Sequence, residues 1–286
     1  MTKLPVIGSL AVAAILCAAD GALLAAPAPA PDFSGVWIRS PDNYYFPVPG
    51  EKFVPLVKLP VTGPNADALV KKPVTPADEE EIMAGDYHNP ILQPWAREVV
   101  RKNAEQEIAF NHIYTPSNAC WPSGVPQIHN LREPSQIVQT KDRITIIHQR
   151  DHQWRQIDIG QPHTKMPPPS WYGESVAHWE GDTLVVSTIA QKTHVLHVVD
   201  PWGTPHTSRL HVTERFRRAD DAQGKALEVV LTVEDTGTFT TPWKGVAVYR
   251  PNRVQELLEV VCAENNRHFD EGSTFGPTPE EKIPAF

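Results

Sequence analysis

Short segments in which apolar and polar residues alternate follow one another from residue 136 to residue 262. Residues 226–234 show the pattern most clearly, with Leu227, Val229, Leu231 and Val233 on one face and Glu228, Thr232 and Glu234 on the other. A period of two is typical of a half-buried antiparallel strand. The same criterion predicts nine strands, at residues 136–140, 143–149, 153–159, 175–180, 183–190, 212–218, 226–234, 245–250 and 254–262.

The connections between these segments are of two kinds. Gly181 and Asp182 form a two-residue turn, and the glycine accepts the positive φ that tight hairpins require. Three connections are long, at residues 160–174, 191–211 and 235–244. If the strands alternate in direction, these long loops lie together at one end, where an antiparallel barrel or sandwich usually presents a pocket.

The residues before this region predict an N-terminal addition to the sheet. Residues 32–37 form an opening strand, and residues 40–76 are rich in proline and predict an extended wrap. Thr75 and the apolar spacing in residues 90–110 predict one or two helices. The predicted fold class is mainly β, an antiparallel β-barrel or barrel-like sandwich of the lipocalin type. Its domains are the N-terminal part at 27–135, the β domain at 136–270 and a tail at 271–286.

The first 26 residues predict a cleaved signal peptide. A short basic start that ends at Lys3 precedes an apolar stretch at residues 6–19, and small residues follow at 25–31. The apolar stretch is shorter than the about 20 residues that span a bilayer, so membrane insertion is not expected. The protein is therefore expected in the periplasm or outside the cell.

Charge and cysteine content narrow the range of partners. The net charge of -8 and the pI near 5.8 disfavour nucleic acid and anionic membrane surfaces, which bind basic faces. Cys120 and Cys262 remain after processing, and in an oxidising compartment they predict a disulfide rather than a nucleophilic Cys120. The oligomeric state has no signature in the sequence.

The first long loop contains candidate residues for acid–base chemistry. It combines His163 and Glu174 with the aromatic residues Trp171 and Tyr172, behind a run of prolines. Such a loop can cover an apolar ligand and move a proton. The ordinary alternatives are a loop histidine bonded to backbone and an aromatic plug that closes the barrel.

The second long loop is rich in histidine and contains Trp202. His206 is its best candidate for acid–base work. His194, His197 and His206 are a possible imidazole set for zinc or copper. No carboxylate with ligand spacing completes the set, so unconnected loop histidines are the preferred interpretation and no metal site is predicted.

Three residues on the strands are further candidates. His148 shares a face with Ile144 and Ile146, which places it in the lumen unless it is a satisfied core residue. Glu214 and Glu234 lie on neighbouring strands, and two carboxyls that meet in a barrel would form a general acid–base pair. Solvent-exposed charge is the ordinary explanation for both. No serine-hydrolase elbow, phosphate loop, dinucleotide fingerprint or zincin motif is present, so the sequence does not support a serine hydrolase of that type, a nucleotide enzyme or a zincin. No organic cofactor is expected.

Six blocks resemble the recurring blocks of a large group of secreted bacterial proteins of uncharacterised function. They are residues 33–37 (FSGVW), 120–126 (CWPSGVP), 179–186 (WEGDTLVV), 205–206 (PH), 211–216 (HVTERF) and 262–266 (CAENN). The resemblance implies a secreted single domain and implies no reaction. The chain departs from the group at Glu174, where histidine is expected, and at Ser187, where aspartate is expected. Gly35 and Trp37 also resemble the Gly-x-Trp start of lipocalins, which implies a ligand-holding barrel.

These observations predict a secreted enzyme that performs acid–base chemistry of the lyase, isomerase or hydrolase type on a small apolar or aromatic molecule. The expected catalytic residues are His163, His206, Glu174 and Glu214, and the expected substrate-binding residues are Trp171, Tyr172, Trp202 and His148. One alternative is a lipocalin-like binding or carrier protein. A second is a periplasmic metal-binding protein that uses His194, His197 and His206.

Overall fold

The computed structural model describes residues 30–40, 46–111, 113–151 and 153–265. Within them the strands are β1 (Gly35–Arg39), β2 (Phe46–Pro47), β3 (Ser135–Gln139), β4 (Arg143–His148), β5 (Trp154–Ile159), β6 (Glu174–Glu180), β7 (Thr183–Ile189), β8 (His211–Asp221), β9 (Gly224–Glu234) and β10 (Trp243–Pro251). The helices are α1 (Pro76–Glu81) and α2 (Pro94–Ile108), with short 3-10 turns at Gln127–Asn130 and Cys262–Asn265. The predicted signal peptide and the predicted tail lie outside the described residues.

Nine of these strands form a closed, mainly antiparallel barrel, which confirms the predicted fold class. Pairing runs from β3 through β10 in sequence order, and β1 closes the barrel by pairing with both β3 and β10. Trp37 of β1 is opposite Ser135 on one side and Pro251 on the other. The short strand β2 adds to β10. Because the barrel strands pair on both sides, the sheet has no open edge there.

One pair of neighbouring strands in the barrel departs from the antiparallel pattern. β5 and β6 are parallel, with Asp158 opposite Val176 and Ile159 opposite Ala177. Parallel neighbours require a crossover of about a dozen residues or more, and residues 160–173 provide it. This segment, which we call the crossing loop, therefore begins at one end of the barrel and arrives at the other.

The prediction of a strand at residues 254–262 is wrong, because the structure has no strand in these residues. The structure has a single bridge there, between Arg150 and Val260. The apolar residues Val254 and Leu258 are exposed by 54% and 62%. The physical reason is that β1 already occupies the edge of β10 that this segment would need.

The order of the strands defines a loop end of the barrel. Residues 190–210 and 235–242 leave and re-enter the barrel there, as does the long segment between β1 and β3. The crossing loop arrives at the same end, at the start of β6. The expectation that the long loops gather at one end thus holds for the second and third loops and for the final part of the first.

The N-terminal segment packs against the barrel through α2 and residues 53–61. Pro94 begins α2 at a position where the missing N–H is not needed, and Ala96, Val100 and Ala104 are buried along one face. Each large side chain buried in the core, such as Leu231 or Phe216, contributes about 1.5–3 kcal/mol. Neither described helix has the length and hydrophobicity to traverse a bilayer.

The predicted disulfide between Cys120 and Cys262 is confirmed, with 5.5 Å between the two Cα atoms. It ties the segment before β3 to the chain that follows β10. A loop of this length stabilises the fold by about 4–5 kcal/mol in the chain-entropy model.

Candidate functional site

A row of five hydrogen-bonded polar side chains lies on the outer wall of the barrel at the loop end. We call it the outer row, and its members in spatial order are Glu174, His163, Ser187, His211 and Glu234. The order is symmetrical about Ser187, because each side has one imidazole followed by one carboxylate.

The serine hydroxyl is the centre of the outer row. Ser187 Oγ lies 2.9 Å from His163 Nε2 and 2.9 Å from His211 Nε2. His163 Nδ1 lies 2.8 Å from Glu174 Oε2, and His211 Nδ1 lies 3.2 Å from Glu234 Oε2. Each half of the row therefore has the hydroxyl, base and orienting carboxylate order that activates a serine nucleophile.

Strand register places four of the five residues. Glu174 begins β6, His211 begins β8, and Glu234 ends β9 directly opposite His211. Ser187 lies on β7, one residue before the inward-facing Thr188, so its side chain points outward. His163 comes from the crossing loop, where the Thr164 N–H donates to Glu174 Oε2 at 3.0 Å.

The number of available hydrogens limits the hydrogen bonds that the outer row can form. If each Nδ1 donates to its carboxylate, the Ser187 hydroxyl has one hydrogen for two Nε2 atoms. The contact with the second Nε2 is then a hydrogen bond only if that nitrogen carries a hydrogen of its own, as it does in a doubly protonated imidazole. Partial burial raises the pKa of Glu174, but hydrogen bonds from His163 and Thr164 outweigh that effect and leave this pKa below its usual value.

A second polar group lies inside the barrel and shares strands β6, β7 and β8 with the outer row. We call it the inner cluster, and it consists of Arg155, Glu214, His129, Tyr249, Ser175 and Thr188. Arg155 contacts both carboxylate oxygens of Glu214, with 2.8 Å from Nη1 to Oε1. Its Nε and Nη2 atoms also donate to the hydroxyls of Ser175 and Thr188. His129 Nε2 lies 2.7 Å from Glu214 Oε1.

The inner cluster has settled protonation states. Burial raises the pKa of Glu214, but the charge of Arg155 and the hydrogen bonds from Arg155 and His129 lower it to about 2. Burial lowers the pKa of His129, although Glu214 acts against this shift. A neutral His129 can donate to Glu214 through Nε2 and accept from the Tyr249 hydroxyl, which lies 2.6 Å from Nδ1. The cluster thus contains one balanced ion pair.

A narrow cavity of about 20 Å³ lies in the lumen beside the inner cluster. His148 lines it, with Nδ1 2.8 Å from Ser135 Oγ. The Tyr172 ring stacks on the His148 ring with 6.1 Å between the ring centroids. The Tyr172 hydroxyl donates to Gln153.

Aromatic rings gather at the loop end. The rings of Trp121 and Trp171 lie 5.2 Å apart, and the His194 ring lies 5.6 Å from Trp121 and 5.3 Å from Trp171. All three side chains are half-buried. Beneath them His206 Nε2 lies 3.0 Å from His197 Nδ1, and both histidines are buried.

The structure distributes the residues predicted from the sequence over several places. His163 and Glu174 meet in the outer row, and Glu214 belongs to the inner cluster. His148 and Tyr172 meet at the lumen cavity, while Trp171 lies in the aromatic group at the loop end. His206 is buried against His197 and belongs to neither the outer row nor the inner cluster. Trp202 is 2% exposed, and its indole N–H donates to Leu56 O at 3.1 Å, which places it in the core under the wrap.

Sequence reasoning did not identify Ser187 and His211 as site residues, and it considered Glu234 only as a partner for Glu214. The alternation of β7 and β9 would have placed Ser187 and Glu234 on the outer face, but their proximity to His163 depends on the path of the crossing loop. His129, Arg155 and Tyr249 were missed because they come from three distant segments.

The three histidines considered as metal ligands are arranged differently from a metal site. His194 stacks against tryptophan rings, while His197 and His206 contact each other. In the part of the chain that the structure describes, no three histidine, cysteine, aspartate or glutamate residues are grouped to hold a metal ion.

Comparison with family models, with curated proteins and with solved structures finds no match for this chain.

Proposed function

We propose that the protein is a secreted or periplasmic enzyme that performs acid–base catalysis of the hydrolase type at the outer row. The observation that carries the proposal is the position of Ser187 Oγ, 2.9 Å from the Nε2 atoms of two imidazoles. Each of those imidazoles is oriented by a glutamate. A hydroxyl held between a base and an acid is suited to nucleophilic attack with proton transfer on both sides.

The two histidines have different roles in this proposal. His163 is the base, because its contact with Glu174 is the shorter and the less exposed of the two. The Thr164 N–H holds Glu174 in place at the same time. His211, with the more exposed carboxylate partner Glu234, is the imidazolium that supplies a proton.

The chemical steps follow from these positions. Ser187 Oγ attacks the carbonyl carbon of an ester while its proton moves to His163 Nε2. The bond to the leaving oxygen breaks, and that oxygen takes the proton of His211. Water then attacks the acyl-serine, the acid is released, and the protons return to Ser187 and His211.

The loop end favours an uncharged aromatic substrate. Trp171 lies three residues before Glu174, and His194 lies seven residues after Ser187, so both arms of the aromatic group continue from strands of the outer row. Half-buried tryptophans offer flat apolar surface for a ring. Small aryl esters combine such a ring with a carbonyl that Ser187 can attack.

The test measures turnover of phenyl and 4-nitrophenyl acetate and butyrate, together with covalent labelling by a fluorophosphonate. We expect the label on the peptide that contains Ser187. We expect Ser187→Ala to abolish labelling and to lower kcat/KM by about 10³-fold, and His163→Ala to lower it by about 10²–10⁴-fold. Thr213→Ala is the matched control, because Thr213 is opposite Ser187 on the same outer face and is outside the row.

If Ser187 is labelled but none of these esters is hydrolysed, Ser187 remains the proposed nucleophile and the substrate belongs to another chemical class. Turnover that is equal in the wild-type protein and the Ser187→Ala variant would contradict the proposal, as would the absence of both labelling and turnover.

A further inference from the structure

The buried imidazole of His148 lines the lumen cavity, and one of its ring nitrogens has no hydrogen-bond partner in the described part of the chain. His148 is 7% exposed, and its Nε2 meets no donor or acceptor among the residues that the structure describes. The other polar side chains that line the cavity, Ser135, Arg155, His129 and Tyr249, all have partners. A buried polar atom without a partner costs about 1–3 kcal/mol, so its presence calls for an occupant.

The charge balance around this nitrogen favours a neutral occupant. Burial lowers the pKa of His148 to about 3, with smaller contributions from His129 and Arg155, so the ring is neutral. The positive charge of Arg155 is already balanced by Glu214. An anion or a cation in the cavity would therefore lose its hydration without gaining a counter-charge.

The direction of the hydrogen bond between His148 and Ser135 decides whether His148 Nε2 is a donor or an acceptor. If Nδ1 donates to Ser135 Oγ, Nε2 is an acceptor, and if Ser135 donates, Nε2 carries the hydrogen. A hydroxyl group can both donate and accept, so it matches either form. The remaining walls are apolar, formed by Ile128, Ile137, Ile146, Phe216 and Leu227. The volume of about 20 Å³ has room for one group of the size of water.

We propose that the lumen contains a binding site for one neutral hydroxyl group, held by His148 Nε2. The hydroxyl belongs either to a water molecule or to a small alcohol that displaces it. Tyr172, brought by the crossing loop, covers the His148 ring on one side. The site is separate from the outer row and does not depend on the proposed activity.

Two measurements test the site and distinguish the two sources of the hydroxyl. Oxygen-17 relaxation dispersion counts long-lived internal waters in the wild-type protein and in the His148→Phe variant. Nitrogen-15 spectra of the imidazoles follow a titration with methanol and, separately, with formate. We expect the variant to lose one long-lived water, methanol to shift the His148 signal saturably, and formate to leave it unchanged.

A lost water without a methanol response assigns the site to water, and a saturable methanol response assigns it to an alcohol. His148→Gln keeps a polar end in the lumen and should retain the water, which separates a lost contact from a misfolded protein. His178→Phe, on the exposed face of β6, controls for replacement of a histidine. An unchanged water count in His148→Phe together with no methanol response would overturn the proposal, and so would a saturable response to formate.

Discussion

The outer row and the inner cluster share strands β6, β7 and β8, and both contain glutamate, histidine and hydroxyl side chains. Glu174 faces outward and Ser175 inward on β6, and Ser187 faces outward and Thr188 inward on β7. Glu214 and Arg155 are within 1% of complete burial, whereas the four ionisable side chains of the outer row are exposed by 22–44%. Burial, together with the presence of Arg155, distinguishes the ion pair of the inner cluster from the outer row, which we propose as the site of proton transfer.

The physical reason is the cost of changing charge. In the inner cluster a lost or gained proton would leave a buried charge without its partner, which is strongly unfavourable. In the outer row water screens the charges, so a change of charge there is less unfavourable. The inner cluster is therefore expected to fix the fold, and the outer row to move protons.

The largest expected effect is that of Glu214→Gln on stability. The variant leaves the Arg155 guanidinium buried without a counter-charge, and we expect the free energy of unfolding to fall by about 3–5 kcal/mol. Urea unfolding at pH 7 measures it. Glu234→Gln, at the end of the outer row, is the matched control and should cost under about 1 kcal/mol. Equal losses in the two variants would remove the distinction between the two groups.

The next largest expected effect on stability is that of Thr188→Val, which is compared with Ser187→Ala at the adjacent position on β7. Thr188→Val keeps the shape of the side chain but removes a hydroxyl that accepts from Arg155 Nη2 at 2.8 Å, and it should cost about 1–3 kcal/mol. Ser187→Ala acts on a more exposed hydroxyl and should cost under about 1 kcal/mol, although it should strongly lower the proposed activity. Thermal unfolding of both variants provides the comparison, which fails if Ser187→Ala is the more destabilising.

The pH dependence of stability should report the buried His148. Its pKa is about 3 in the folded protein against 6.5 as the ordinary value, so between these pH values the unfolded chain binds the additional proton. Stability from this group is therefore complete above pH 6.5 and falls as the pH decreases toward 3, with a limiting slope of about 1.4 kcal/mol per pH unit. His148→Gln should flatten the curve by one proton in urea titrations from pH 7 to pH 4. An unchanged slope would place His148 in contact with solvent.

The smallest expected stability effect is that of Glu174→Gln. The carboxylate is 24% exposed and contacts His163 and Thr164, so its loss should change the free energy of unfolding by under about 1 kcal/mol. The same change should lower ester turnover, since an amide orients the His163 ring less well. Chemical denaturation together with the ester assay tests both parts. A large stability loss with unchanged turnover would make the outer row structural.

The alternation of apolar and polar residues was sufficient to predict β3 to β10 and the tight turn before β7. It was insufficient to predict that β1 closes the barrel or that β5 and β6 are parallel, because those pairings depend on contacts between distant segments. The disulfide was predictable because only two cysteines remain after the predicted signal. His163 and Glu174 were predicted as candidate catalytic residues of one loop, whereas Ser187 and His211 join them through strand register and the path of the crossing loop.

The parallel pair of β5 and β6 has a mechanical consequence. A segment that passes over the outside of a barrel lacks the hydrogen-bond ladder of a strand. Here the His163 ring and the Thr164 backbone N–H hold it by hydrogen bonds to Glu174 and Ser187. A molecule that replaces His163 as the hydrogen-bond partner of the Ser187 hydroxyl would loosen the crossing loop. Binding of a molecule at the outer row should then be detectable as faster proteolytic cleavage of the crossing loop between residues 161 and 169.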